Sequence, residues 1–207
     1  LLALAGMAVV AWVVPPEPPQ HKDAWRGGLR EVLAHGGLMR LNLGVFVLHA
    51  VQLAMWMVVP ALLVSAGLPA MAHWQVYLPA MVVSLLIMGG GLFRLERKGY
   101  LRAVFLAAIG LILLAQIGFA LSEGAPSVPL LALWLCVFFI GFNTLEASQP
   151  SLASRLAKPH QRGTALGVFN TLMSLGIFVG GSLGGLVSRA WGAPGVFGAS
   201  AAILARW

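Results

Sequence analysis

FNTLEASQPSLASRLAKPHQRGTALGVFNTLMSLGIFVGGSLGG, the stretch from Phe142 to Gly185, decides the reading of this chain. An apolar run carries Asn143 and Glu146 and is expected to break at Pro150. A short basic loop follows, with Arg155, Lys158 and Arg162. A second apolar run then holds glycine at 163, 167, 176, 180, 181, 184 and 185. A carboxylate in an apolar segment is costly unless it has a partner or a use. Glycines four residues apart let helices touch where lipid supplies no hydrophobic drive. The pattern is that of a polytopic membrane protein with closely packed helices.

Composition agrees. Hydrophobic residues make up 59% and charged residues 9%, against roughly a quarter charged in ordinary globular domains. Six acidic residues cannot solubilise a surface of this size. The net charge of +7 sits in short loops and not in one patch, so no nucleic-acid partner is expected and the lipid bilayer is. Cys136, the one cysteine, forms no internal disulfide and no metal site by itself. The five histidines lack metal-type spacing, no phosphate-binding loop is present, and neither metal nor other cofactor is expected. Gly180-Gly181-Ser182-Leu183-Gly184 fits the G-x-S-x-G pattern of serine hydrolases, but that motif needs a strand before it and a sharp turn. Inside a spanning helix it has neither, and nothing argues for an enzyme.

Five full spans are expected, at about 41–66, 74–93, 103–122, 129–149 and 163–187. The third, at 20 residues, matches a hydrocarbon core of about 30 Å. Residues 1–14 look like the tail of a further helix, and 195–207 like the start of another, so the chain is expected to be a piece cut at both ends. Eleven of the 13 Lys and Arg residues fall in alternate connections: Lys22, Arg26, Arg30 and Arg40; Arg94, Arg97, Lys98 and Arg102; Arg155, Lys158 and Arg162. By the positive-inside rule that side is cytoplasmic. The polar stretch 15–39 becomes a cytoplasmic linker, extended along its prolines. Within it, 23–34 is suited to a surface helix with Trp25 and Leu29 toward lipid.

In the first span Asn42, Val45, His49, Gln52 and Trp56 share one face. Interhelical hydrogen bonding explains them, and so does a cavity wall with His49 as a proton carrier. In the fourth span Asn143 and Glu146 share a face that Gln149 continues. Glu146 is placed near the cytoplasmic end, where it pairs with a loop arginine or lies by the positive start of the helix beginning near Gly163. A structural or gating role is preferred there over direct proton coupling. Gly176, Gly180 and Gly184 are expected to pack helices, while Asn170, Thr171 and Ser174 give the fifth span a polar side.

These residues resemble the C-terminal half of a major facilitator superfamily transporter. F-N-T-L-E-A-S-Q-P-S-L-A-S-R-L from Phe142, R-G-T-A-L-G-V-F-N-T from Arg162 and G-G-S-L-G-G from Gly180 resemble the tenth and eleventh helices of the YajR-like branch of the drug:proton antiporters. L-N-L-G-V-F-V-L-H from Leu41 resembles its seventh helix. The resemblance implies an all-α membrane fold, the six-helix C-terminal bundle of a twelve-helix protein truncated at both ends. Residues 1–14 then end helix six, 15–39 join the bundles, and 40–207 hold helices seven to twelve, the last incomplete. It implies a proton-coupled exporter of small amphipathic or drug-like solutes, working by alternating access in a bacterial inner membrane. The partners are the missing N-terminal six-helix bundle of the same chain, protons and a small-molecule substrate. Cavity candidates are His49, Gln52, Trp56, Asn143, Asn170 and Ser174. In the family an aspartate of the first half docks at the start of helix eleven; carried over, the receiving surface is Gly163, Thr164 and Gly167, with Glu146 beside it as part of a cytoplasmic gate. The loop Gly90-Gly91-Leu92-Phe93-Arg94-Leu95-Glu96-Arg97-Lys98 departs from the family's cytoplasmic motif, with Arg94 where an aspartate is expected. A different class, a non-transporting sensor or assembly module built on the same bundle, stays open.

Overall fold

The computed structural model describes residues 2–13, 28–92, 94–95 and 98–207. The expectations for the proline run and Trp25 lie outside the described residues. Among the described residues the principal α-helices are, in order, α1 (Leu2–Trp12), α2 (Gly28–Ala34), α3 (Gly36–Trp56), α4 (Val59–Ser65), α5 (Trp74–Ile87), α6 (Leu101–Ser122), α7 (Val128–Leu156) and α8 (Arg162–Leu204). Among the described residues, five stretches are long and apolar enough to cross a membrane: Gly36–Ser65, Ala70–Gly90, Leu101–Ser122, Val128–Leu156 and Pro159–Leu204. The described side chains of α1 are exposed.

Local chemistry sets the boundaries. His35 caps α3, its Nδ1 accepting the Leu38 N–H at 3.2 Å. Pro60, in the first turn of α4, has no N–H to continue the α3 ladder, so the span is offset at Met57–Val58 before it resumes. The run of glycines at 89–91 ends the second span in a π-helical turn, Met88–Leu92.

Two departures from the sequence expectation matter. Helix α7 does not break at Pro150 but runs through it to Leu156. A proline removes one hydrogen bond, here the return to the Glu146 carbonyl, and packed neighbours in a membrane bundle let the helix continue. Helix α8 covers 43 residues, which as a straight rod would be about 65 Å long. It is broken at Gly192, whose φ of 66° and ψ of −161° are not helical, with Pro194 just beyond. The positive φ is open to glycine at little cost.

The break reverses the chain. Along the first arm, Gly176 lies on the Phe46 carbonyl, Gly180 on the backbone of Ala50 and Gly184 on Ala54. Both sets of numbers rise together, so α3 and this arm are parallel. In the second arm, Ser200 and Ile203 share a cleft with Ala50, Ala54 and Gly180, and Trp207 lies on Gly44. That arm therefore runs back antiparallel to α3. Helices α6 and α7 form an antiparallel hairpin in which Trp134 covers Gly118, and Gly141 meets the Ala108 carbonyl and Ile112. Trp134 Nε1 donates to Ser122 Oγ at 3.1 Å. The core between these elements is built from Leu48, Met55, Ile112, Phe119, Leu135 and Phe138, with Phe197 stacked on Phe119 at 5.3 Å. Large apolar side chains such as Leu86, Leu121 and Phe178 are exposed on the outside, as a lipid-facing surface requires.

A Cβ added at Gly184 would stand 2.6 Å from the Ala54 Cα, and at Gly180 it would strike the Ala50 backbone. Gly180→Ala is therefore expected to destabilise the full-length protein by ~1–3 kcal/mol in thermal unfolding in detergent. Gly185→Ala, on the open side of the same helix, should leave the midpoint unchanged or slightly raised. Equal effects at both positions would refute the seam.

Candidate functional site

The faces of α3 and α7 that meet beside the glycine seam carry the polar residues. His49 lies in the core with its side chain 6% exposed, and its Nε2 is 3.2 Å from Glu146 Oε2. The Glu146 side chain is 42% exposed, so the pair joins the interior to an open surface. His49 Nδ1 lies 2.9 Å from the carbonyl of Val45, one turn back on its own helix. The Phe142 ring meets the imidazole edge-on at 5.6 Å and is itself stacked on Phe138. Glu146 thus has a histidine partner on α3, where a loop arginine or the positive start of the helix near Gly163 was expected. The extension of α7 explains this: Glu146 lies ten residues, or about 15 Å, before the end at Leu156.

The same face continues along both helices. Asn143 Nδ2 donates to Ser84 Oγ at 2.8 Å, and Ser84 Oγ donates to the Met81 carbonyl at 2.7 Å. Further on, Trp56 meets Tyr77 edge-on at 4.9 Å and lies 6.4 Å from Phe139. Phe139, Asn143 and Glu146 fall at helical steps of four and three, and His49 and Trp56 seven apart, so each helix offers one stripe. Gln52 is half-buried on the α3 stripe. The result is a wall from aromatic Trp56, Tyr77 and Phe139 to ionisable His49 and Glu146. Asn170 and Ser174 do not join it; both are exposed on α8.

At the start of α8, Gly163 and Gly167 are open, with nothing that a Cβ would touch. Thr164 is half-buried, and its Oγ1 lies 3.4 Å from where a Cβ on Gly28 would be. Helix α2 thus lies beside the α8 start, and a groove between them is lined by Leu29, Leu33, Thr164, Gly167 and Thr171. Glu31 holds α2 there: its Oε2 accepts from Gln161 Nε2 at 2.6 Å and from Lys158 Nζ at 3.0 Å. The hydrogen bond from Gln161, then that from Lys158 and its positive charge, lower the Glu31 pKa from the usual carboxylate value. Among the described residues the ion pairs are Glu31–Lys158 and His49–Glu146.

Sequence reasoning missed the buried amide of Gln116. Gln116 is fully buried and directs Nε2 at the Met55 sulfur, 3.8 Å away. It is the one strongly polar side chain in the middle of α6, and a lone amide in a span signals a protein-facing position. Gln149 is also fully buried, on the stripe that holds Asn143 and Glu146. The Glu31 clamp had no sequence signal, since its members lie 127 and 130 residues apart.

The helices, their lipid-facing exterior and the half-open polar wall define a membrane-embedded bundle of the kind used by transporters. Comparison with known proteins agrees. The sequence model of the Major Facilitator Superfamily matches residues 1–181 and again 94–207. The chain is 34% identical over 211 residues to the inner membrane transport protein YajR of Escherichia coli (strain K12), covering 100% of this chain and 46% of that protein. It is 30% identical over 141 residues to an uncharacterized transporter of Buchnera aphidicola, covering 68% of this chain and 36% of the relative. The chain belongs to the Major Facilitator Superfamily. It spans less than half the length of these curated relatives.

The lowered pKa of Glu31 sets the sign of a pH effect. A depressed carboxylate stabilises its contact above its unfolded pKa, and that stabilisation is lost as pH falls through the folded value. A spin label at Leu33 in the full-length protein should be immobile at neutral pH and gain mobility on acidification. With Glu31→Ala it should be mobile throughout. Mobility that ignores both changes would show that the clamp does not hold α2.

Proposed function

We propose that this chain is the C-terminal half of a proton-coupled secondary transporter that exports small amphipathic solutes by alternating access. The observation that carries the reading is the wall along α3, α5 and α7. Its aromatic end at Trp56, Tyr77 and Phe139 suits an apolar ring or chain. Asn143 supplies a polar contact, and the His49–Glu146 pair an ionisable one. Pockets for such solutes are mostly apolar with a few fixed polar groups. His49, Gln52, Trp56 and Asn143 form this half's wall. Asn170 and Ser174, exposed on α8, complete it against the other bundle.

The basic connections face the cytoplasm in this reading, which brings the N-terminal ends of α3 and α8 to that side. The open surface at Gly163, Thr164 and Gly167 is the seat for a carboxylate of the N-terminal bundle, favoured by the positive end of α8. The glycine seam keeps α3 and α8 together as the bundle rocks, the motion that alternates access.

Flux tests the reading. Full-length protein in proteoliposomes is expected to move amphipathic cationic dyes when a pH gradient is imposed. Trp56→Ala is expected to cut that flux by about tenfold while leaving protein yield and insertion unchanged. Absence of flux across a broad dye and drug panel would instead favour a sensor or assembly module on the same bundle.

A further inference from the structure

His35 is the one residue between α2 and α3, and it joins them through backbone and side chain alike. Its backbone is extended, with φ −79° and ψ 102°, so the two helices meet at a corner and do not merge. Its N–H donates to the Val32 carbonyl at 3.2 Å, and its carbonyl accepts from the Met39 N–H at 3.0 Å. The ring folds over the first turn of α3, where Nδ1 accepts the Leu38 N–H at 3.2 Å. Gly37 leaves room for it, since a Cβ there would stand 3.2 Å from the ring Cε1. That turn opens with Gly36-Gly37, and glycine is a poor helix former, so the turn leans on its cap. A ring nitrogen that accepts a hydrogen bond carries no hydrogen of its own. Neutral imidazole with its hydrogen on Nε2 meets this need; imidazolium, with hydrogen on both nitrogens, turns an N–H against the Leu38 N–H. Proton uptake therefore removes the cap.

We propose that His35 is a proton-sensitive joint between α2 and the first span: neutral, it caps α3 and fixes α2 against the bundle; protonated, it uncaps the first turn of α3 and loosens α2. The proton comes from water and adds to the Nδ1 lone pair, and the Leu38 N–H turns to water. Histidine suits the task, because its ordinary charge change falls roughly between pH 5 and 8. Asn or Ser would cap the same turn without that dependence. Helix α2 has seven residues, too few to persist without tertiary support. Its supports are the buried Val32, the Glu31 clamp and the His35 corner. Because Leu29 and Leu33 line the groove at the start of α8, loosening α2 changes the surface offered there. That consequence for gating rests on the transporter reading above; the joint itself does not.

Charged and titratable groups reach the joint from each element packed around it. Helix α2 brings Arg30 and Glu31, and α3 brings Arg40. The end of α7 carries Arg155, and Lys158 and His160 follow it before Arg162 opens α8. Glu31, Lys158 and Gln161 line the same cleft as His35. Within that cleft the carboxylate is engaged, accepting from Gln161 at 2.6 Å and from Lys158 at 3.0 Å. Two titrations thus act on α2. Protonation of Glu31 weakens the clamp at its outer side, and protonation of His35 undoes the corner at its end. Glu31 titrates below its usual carboxylate value, so the His35 step comes first as pH falls.

A spin label at Leu33 in the full-length protein reads the joint without any substrate. In the native chain its mobile fraction should rise about fivefold as pH falls through the histidine range, the size expected for one lost cap. His35→Asn keeps a cap that does not titrate, and should remove this step while leaving the later one that belongs to Glu31. His35→Ala should be as mobile above the histidine range as the native chain is below it, and His160→Gln should leave the step in place. Coincident profiles for the native chain and His35→Asn would overturn the proposal, as would a step that His160→Gln abolishes. If a variant fails to insert, ¹⁵N-histidine spectra of the native protein decide. His35 Nδ1 should be bare above the step and protonated below it; an Nδ1 already protonated above it would overturn the joint. Dye flux that is absent while the step is present counts against the transporter reading alone, and flux without the step counts against the joint alone.

Discussion

Backbone rests on backbone where Gly176, Gly180 and Gly184 meet Phe46, Ala50 and Ala54, and the arrangement of the bundle depends on that contact. In lipid, apolar side chains gain little by leaving their surroundings for each other, so close packing carries helix association. Missing side chains on α8 bring α3 near enough for that. The seam also fixes the rotation of α3 about its axis. With Phe46, Ala50 and Ala54 toward α8, the stripe of His49, Gln52 and Trp56 is turned to α5 and α7. The break at Gly192 returns the chain beside the same helix, where Trp207 occupies the space over Gly44. Helix α3 is thereby enclosed by both arms of α8.

Around that fixed helix the polar groups are graded. The aromatic end of the wall is held by ring contacts, and the ionisable end by the contact between His49 and Glu146. Pro150 lies one turn beyond Glu146 and cannot return a hydrogen bond to its carbonyl, so α7 has one ladder bond fewer at this point. Close backbone packing on one side of α3 contrasts with a few polar and ring contacts on the other. At the loop end, the Glu31 clamp tethers α2 next to the surface proposed to receive the other bundle.

Much of the fold was legible in the sequence because lipid imposes a simple rule on composition. Apolar runs of the right length marked the starts of the spans to within five residues, though not the ends of the last two, and the glycine spacing singled out the helix with the closest neighbours. What could not be read depends on tertiary proximity. His49 and Glu146 were each picked out, but they are 97 positions apart and no periodicity joins them. Pro150 looked like a terminus because propensity in water says so; the packed bundle overrides it. Asn170 and Ser174 were chosen by face and depth; they are exposed on α8, whose rotation is set by the glycine seam.

The central claim is that the glycine seam holds α3 against α8. Paired spin labels in the full-length protein at exposed Leu43 on α3 and exposed Leu175 on α8 measure that distance directly. The native chain should give one short, narrowly distributed distance, and Gly180→Ala should lengthen or broaden it. A native distance that is broadly distributed, or one that Gly180→Ala leaves unaltered, would contradict the account.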